Sequence, residues 1–117
     1  MNLKQYFVLL FSLFCANFDL LAQPANNTCA NAITIPVTNG SCSSTAYTNV
    51  GATTVGNPPT PACWSPNNMS HTVWFNFVAT STSVELSTNF GYSLTNTQIA
   101  IYSGTCGALT PLACNED

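Results

Sequence analysis

The sequence predicts an all-β chain, an antiparallel sandwich or jelly roll. Three observations carry that reading. Short runs of alternating apolar and polar residues recur along residues 32–114, separated by Gly, Pro and Asn-rich punctuation. No window after the first two dozen residues shows a helical period. The polar residues are Thr, Ser and Asn, which suit strands and turns, whereas charged residues make up only 4% of the 117 against 46% hydrophobic. Ordinary globular usage of charge is about 25%, so stability must come from apolar burial, backbone hydrogen bonds and disulfides rather than ion pairs.

Residues 1–22 read as a secretory signal peptide. Lys4 supplies a positive start, Tyr6 to Phe14 form an apolar run broken only by Ser12, and Ala22 offers a small-residue exit. The run is too short to span a bilayer, which takes about 20 apolar residues. Leu20 is bulkier than the position prefers, and a lipoprotein reading through Cys15 is opposed by Phe14. Cleavage leaves one domain, residues 23–117, with no membrane span.

Residues 23–31 are a polar lead-in. Residues 32–38 form the first expected strand, with Pro36 marking an edge or a bulge. Asn39-Gly40 is a hairpin signal leading into a second strand over 45–50. Gly56, Pro58, Pro59, Pro61 and Pro66 make residues 51–68 a loop. Residues 72–79 form the strongest strand: Val73, Phe75 and Phe77 share one face, Trp74, Asn76 and Val78 the other, so a central position is expected. Residues 82–88 alternate, with Val84 and Leu86 inward and Ser83, Glu85 and Ser87 outward. Residues 89–96 are irregular, with a turn at Gly91. Residues 97–103 and 109–114 are the last two strands, joined through a turn at 103–107.

The charged residues are Lys4, Asp19, Glu85, Glu116 and Asp117. Nucleic-acid binding needs several cations against phosphate, and none lies beyond Lys4. A basic amphipathic membrane helix is excluded for the same reason. Catalysis is not expected. His71 is the only histidine, there is no G-x-S-x-G, and a Ser/His71/Glu85 triad would need Glu85 to turn inward from a solvent face. His71 reads as the residue leading into the strand at 72–79.

Five cysteines remain after Cys15 leaves with the signal: Cys29, Cys42, Cys63, Cys106 and Cys114. Export makes disulfides the default, and no C-x-x-C spacing points to zinc. Cys106–Cys114 is the expected bridge, flanking a short loop with Gly107 and Pro111. A hairpin at Asn39-Gly40 separates Cys29 from Cys42, which favours Cys29–Cys63. One cysteine is left over, either free or with its partner outside this chain. Asn26-Asn27-Thr28, Asn39-Gly40-Ser41 and Asn68-Met69-Ser70 match the glycosylation sequon, but Asn and Thr are so frequent that chance matches are expected.

Five segments together resemble a known family. Asn27-Thr28-Cys29-Ala30-Asn31-Ala32-Ile33 resembles the N-D-x-C-x-x-A opening of domains similar to the bacterial pre-peptidase C-terminal domain. Gly51-Ala52-Thr53 and Pro61-Ala62-Cys63 resemble its second and third landmarks. Thr72-Val73-Trp74-Phe75-Asn76-Phe77 resembles its D-V-W-Y/F-x-F strand. Tyr102 to Thr110 and Leu112 to Asp117 resemble its Y-S-G-x-C-G-x-L…L-A-C-N-D-D block. The resemblance covers residues 27–117. It implies a secreted, non-catalytic β-sandwich that accompanies extracellular peptidases, other hydrolases and adhesins, often in proteins exported by the type IX system.

The chain also departs from that pattern. Asn27, His71-Thr72 and Asn96-Thr97 stand where the family carries acidic residues, and the family's closing Tyr- and Gly-rich strands have no counterpart before Asp117. The expectation is therefore a sandwich incomplete at its C-terminus, the first part of a longer protein or a truncated gene, with further domains of that longer chain as partners. Asn115, Glu116 and Asp117 offer hard oxygens for calcium, the one cofactor the block brings into question. Trp64 and Tyr92, on loops, are the candidate stacking residues for a glycan or surface polymer, and for Trp64 the competing and favoured reading is that it covers one end of the core. The expected role is adhesion or carbohydrate binding. The alternative is an appendage that aids folding or localisation of a secreted peptidase.

Overall fold

The computed structural model describes residues 22–40, 45–65, 68–88 and 96–116. The expectations placed on the signal segment 1–21, Cys42, the turn at Gly91, Tyr92 and Asp117 lie outside these residues.

Strand length does not track the density of β-branched and apolar residues, since the run from Val73 to Val78 is regular only at Phe75–Asn76. Strand β1 is Ile33–Thr34, β2 is Phe75–Asn76, β3 is Gln98–Thr105 and β4 is Ala108–Glu116. Two 3-10 turns, Cys29–Asn31 and Ala62–Trp64, are the helical segments among the described residues. The molecule is β-rich. Among the described residues it holds a two-stranded parallel pair, β1 with β2, and an antiparallel hairpin, β3 with β4.

The hairpin is the regular part. Its register runs from Gln98 opposite Glu116 to Thr105 opposite Ala108, so Cys106 and Gly107 alone make the loop. Gly107 supplies the positive φ, +92°, that so tight a reversal needs. The register slips between Ile101, opposite Ala113, and Tyr102, opposite Pro111. Leu112 is the extra residue of that bulge and is largely exposed. Pro111 has no N–H to give the ladder, and a bulge is where a strand tolerates it.

The pairing of β1 corrects the expected topology. No strand forms over 45–50 among the described residues, and β1 lies parallel to β2 instead. The Ile33 N–H donates to the Trp74 carbonyl at 3.1 Å and the Ile35 N–H to the Asn76 carbonyl at 2.9 Å. Pro36 follows at a position whose N–H would point away from β2, as befits the open edge of the pair. In the 45–50 segment Tyr47 packs edge-on to Phe75 with ring centroids 4.8 Å apart, while Val50 is exposed.

The strand expected over 72–79 is regular only at Phe75–Asn76, and Val78 is exposed rather than buried on a second face. Residues 82–88 form no ladder, yet their alternation holds: Val84 and Leu86 are half-buried, Ser83, Glu85 and Ser87 exposed. The buried hydrophobics among the described residues are Ala52 and Trp64. The other buried side chains are polar, Asn26 and Asn27, so the centre of this region is built as much by hydrogen bonds as by grease.

Candidate functional site

The two asparagines tie three distant segments together. The Trp74 N–H donates to the Asn26 carbonyl at 2.9 Å, and Asn26 Nδ2 donates back to the Trp74 carbonyl at 3.0 Å. That carbonyl also receives the Ile33 N–H, so both its lone pairs are used. Asn26 thereby serves β2 in the way a neighbouring strand would. Asn27 performs the same service for residues 51–53. Its Oδ1 accepts the Thr53 N–H at 2.6 Å, and its Nδ2 donates to Thr53 Oγ1 at 3.0 Å and Gln23 Oε1 at 3.2 Å. Buried amides are stable only when satisfied in this manner. Read along the chain, this stretch was an unremarkable polar lead-in. The partners that bury it lie 26 and 48 positions away, and the pairing of Asn26-Asn27 with the neighbouring Cys29 was the only signal of it.

The two tryptophans are positioned from the same region. Trp74 Nε1 donates to Asn57 Oδ1 at 3.0 Å, and Asn57 Nδ2 reaches Met69 Sδ at 3.0 Å. Trp74 also faces Tyr102 across to the hairpin, with centroids 6.0 Å apart. Tyr102 carries the one buried hydroxyl among the described residues without a hydrogen-bond partner, and burial raises its phenol above the ordinary value of 10.0.

Trp64 is 5% exposed, and its Nε1 donates to the Asn115 carbonyl at 3.0 Å. A ring covered to that extent cannot stack on a sugar, so the expectation of Trp64 as a binding platform is withdrawn. It covers one end of the hairpin instead.

The disulfides are Cys29–Cys106 and Cys63–Cys114, with Cα atoms 5.8 and 6.3 Å apart. This corrects both expected pairings. Cys106 sits in the hairpin loop, while Cys114 stands on β4 opposite Ala100. At about 3.3 Å per strand residue the two are roughly 20 Å apart or more, far beyond the ~7 Å limit for bridged Cα atoms. Because Cys29 meets the loop end and Cys63 the open end, Cys29–Cys63 fails for the same reason.

Among the described residues, no group of three or more His, Cys, Asp or Glu could hold a metal. Asn115 and Glu116 are consecutive on a paired strand, and strand alternation sends their side chains to opposite faces. They do not converge on one ion, so the calcium expectation finds no geometric support in them. Ser70 Oγ and His71 Nδ1 share a hydrogen bond at 2.6 Å. Both residues are exposed, and His71 has a left-handed φ of +48°. A solvent-open pair of sequence neighbours lacks the water-excluded setting and oriented base that acyl transfer uses.

Compared with known proteins, the chain matches no family model, no curated protein and no solved structure. Among the described residues, no helix is long and apolar enough to cross a membrane.

Proposed function

We propose that this chain is an exported, non-catalytic β-sandwich module similar to the pre-peptidase C-terminal domain, serving adhesion or carbohydrate binding within a larger secreted or cell-surface protein. The observation that carries the reading is the meeting of the five segments on which the resemblance rests. Asn27 of the opening binds Thr53 of the second landmark. Cys29 of the opening is bonded to Cys106 of the last block, and Cys63 of the third landmark to Cys114 of the same block. Trp74 of the fourth is held by Asn26, just ahead of the opening. Residues spaced across the whole sequence motif are thus the residues that hold one another in space. Two disulfides are consistent with an oxidising, extracellular setting.

With Trp64 covered, Tyr92 is the remaining aromatic of the two candidates for a glycan. The test is a glycan and surface-polymer binding screen of the exported protein, with Tyr92→Ala as the comparison. Binding that the substitution abolishes supports the adhesive reading. Absence of binding across the screen counts against it and favours the alternative, an appendage that helps a secreted peptidase fold or localise.

A further inference from the structure

Signal cleavage after Ala22 would make Gln23-Pro24 the start of the chain, and both residues are tied to a buried asparagine. The Asn27 N–H donates to the Pro24 carbonyl at 3.0 Å, closing a turn. Across that turn, Gln23 Oε1 accepts from Asn27 Nδ2 at 3.2 Å. Gln23 is exposed, whereas Asn27 is only 6% exposed. The other half of the Gln23 amide, Nε2, takes part in no hydrogen bond.

Asn27 suits one kind of terminal group. Its Oδ1 is occupied by the Thr53 N–H at 2.6 Å and by Thr53 Oγ1 at 3.4 Å, which leaves Nδ2, a donor, to meet Gln23. A terminal ammonium has donors only and finds no free acceptor on Asn27. A neutral terminus that ends in a carbonyl oxygen matches it.

We propose that Gln23 is a modification site, at which the exported chain closes its N-terminus into a pyroglutamyl ring held by Asn27. The proposal rests on the export reading and on cleavage after Ala22. The lone pair of the α-nitrogen attacks Cδ, a Cδ–N bond forms, and the Cδ–Nε2 bond breaks. Nε2 leaves as ammonia, taking a proton from the α-amine. No oxidant, reductant or second substrate enters. The ring keeps Oε1, the atom bound by Asn27, and discards Nε2, the atom without a partner.

The ring changes both charge and durability. Residues 23–117 hold no Lys or Arg, so the α-amine is their one cation besides His71, and ring closure removes it. A free amine on Gln23-Pro24 is also open to aminopeptidases. It can attack the Pro24 carbonyl as well, expelling both residues as a cyclic dipeptide. Either loss would strip Asn27 of the acceptors that Pro24 and Gln23 supply. In the ring that nitrogen is an amide and no longer a nucleophile, so both routes close.

The experiment is mass spectrometry of the exported full chain after reduction and chymotryptic digestion. The expected N-terminal peptide starts at Gln23 and is lighter than its sequence by about 17 Da, the mass of ammonia. Edman degradation of the intact protein should be blocked. Gln23→Ala has no amide to cyclise and should give readable Edman cycles from position 23. An aminopeptidase that cleaves before proline should shorten this variant and leave the parent whole. The variant should also lose about 3 °C in Tm through the missing acceptor for Asn27 Nδ2; an unchanged Tm would overturn the docking on Asn27. Should the substitution shift signal processing, the parent's own N-terminal peptide still decides. A full-mass peptide starting at Gln23, or one starting at Ala25, would overturn the ring and leave export intact. A chain starting at Met1 would overturn the cleavage reading and the ring together.

Discussion

Replacing Asn27 with Ala removes the side chain that joins the lead-in to residues 51–53. Its bonds to two residues go at once: the 2.6 Å bond from the Thr53 N–H, the two-way contact with Thr53 Oγ1 at 3.0 and 3.4 Å, and the donation to Gln23 Oε1. Their cost differs. The Thr53 N–H is left without its acceptor beside buried Ala52, which costs about 1–3 kcal/mol. The other two bonds are worth about 0.5–1.5 kcal/mol each, partly regained from water that reaches Gln23 and Thr53. The expected loss is about 3 kcal/mol, roughly a hundredfold in the folding equilibrium. For a domain of this size that lowers Tm by about 15 °C. Asn27→Asp restores the acceptor for the Thr53 N–H and can accept from Thr53 Oγ1, so it should lose less than the alanine variant. Asn31→Ala, on an exposed residue of the neighbouring 3-10 turn, should change stability by less than about 0.5 kcal/mol. Thermal unfolding of the oxidised proteins by circular dichroism reads all three. A Tm for Asn27→Ala within about 3 °C of the parent would refute the reasoning, because a buried and satisfied amide would then be contributing nothing.

Further outcomes follow from the hairpin and its cover. Gly104 lies on β3 with φ +102°, and a Cβ there would collide with the Ala108 carbonyl oxygen; Gly104→Ala should cost at least about 2 kcal/mol, read by urea unfolding. Tyr102→Phe removes a buried hydroxyl that has no partner, so the variant should be as stable as the parent or more so; a loss above about 1 kcal/mol would show that the hydroxyl is bonded. Because burial raises the Tyr102 phenol above 10.0, the neutral phenol's contribution is complete below pH 10 and is lost as pH climbs through the raised value. Ultraviolet titration should show one tyrosine ionising late. Trp64→Ala should cost about 3–5 kcal/mol and leave glycan binding by the surviving folded protein unchanged; selective loss of binding in a stable variant would restore Trp64 as a platform.

The strands that could be read from the sequence were those whose pattern is local. Ile99 and Ile101 marked β3 to within two residues, and the exposure of Ser83, Glu85 and Ser87 followed simple alternation. What escaped was set by distant partners. Periodicity over 45–50 looked like a strand, but β1 found its ladder on β2, because Asn26 holds Trp74 beside it through both backbone and amide. Cys106 looked like a natural mate for Cys114 because the two are close in sequence. Antiparallel pairing makes sequence neighbours across a tight loop distant in space, and only the register reveals which cysteine stays at the turn. Trp64 sits in a proline-rich loop, where exposure is the ordinary expectation; its indole N–H is instead taken up by a carbonyl of β4. For the candidate site, the sequence located the segments that meet, and burial of Trp64 fits the reading that it covers one end of the core rather than offering a platform.

Peptide mapping of the exported protein under non-reducing conditions tests the central structural claim most directly. Cleavage and mass spectrometry should recover Cys29 linked to Cys106 and Cys63 linked to Cys114, each pair converting to two separate peptides on reduction. Recovery of Cys106 linked to Cys114, or of Cys29 linked to Cys63, would contradict the hairpin register and the clamp built upon it.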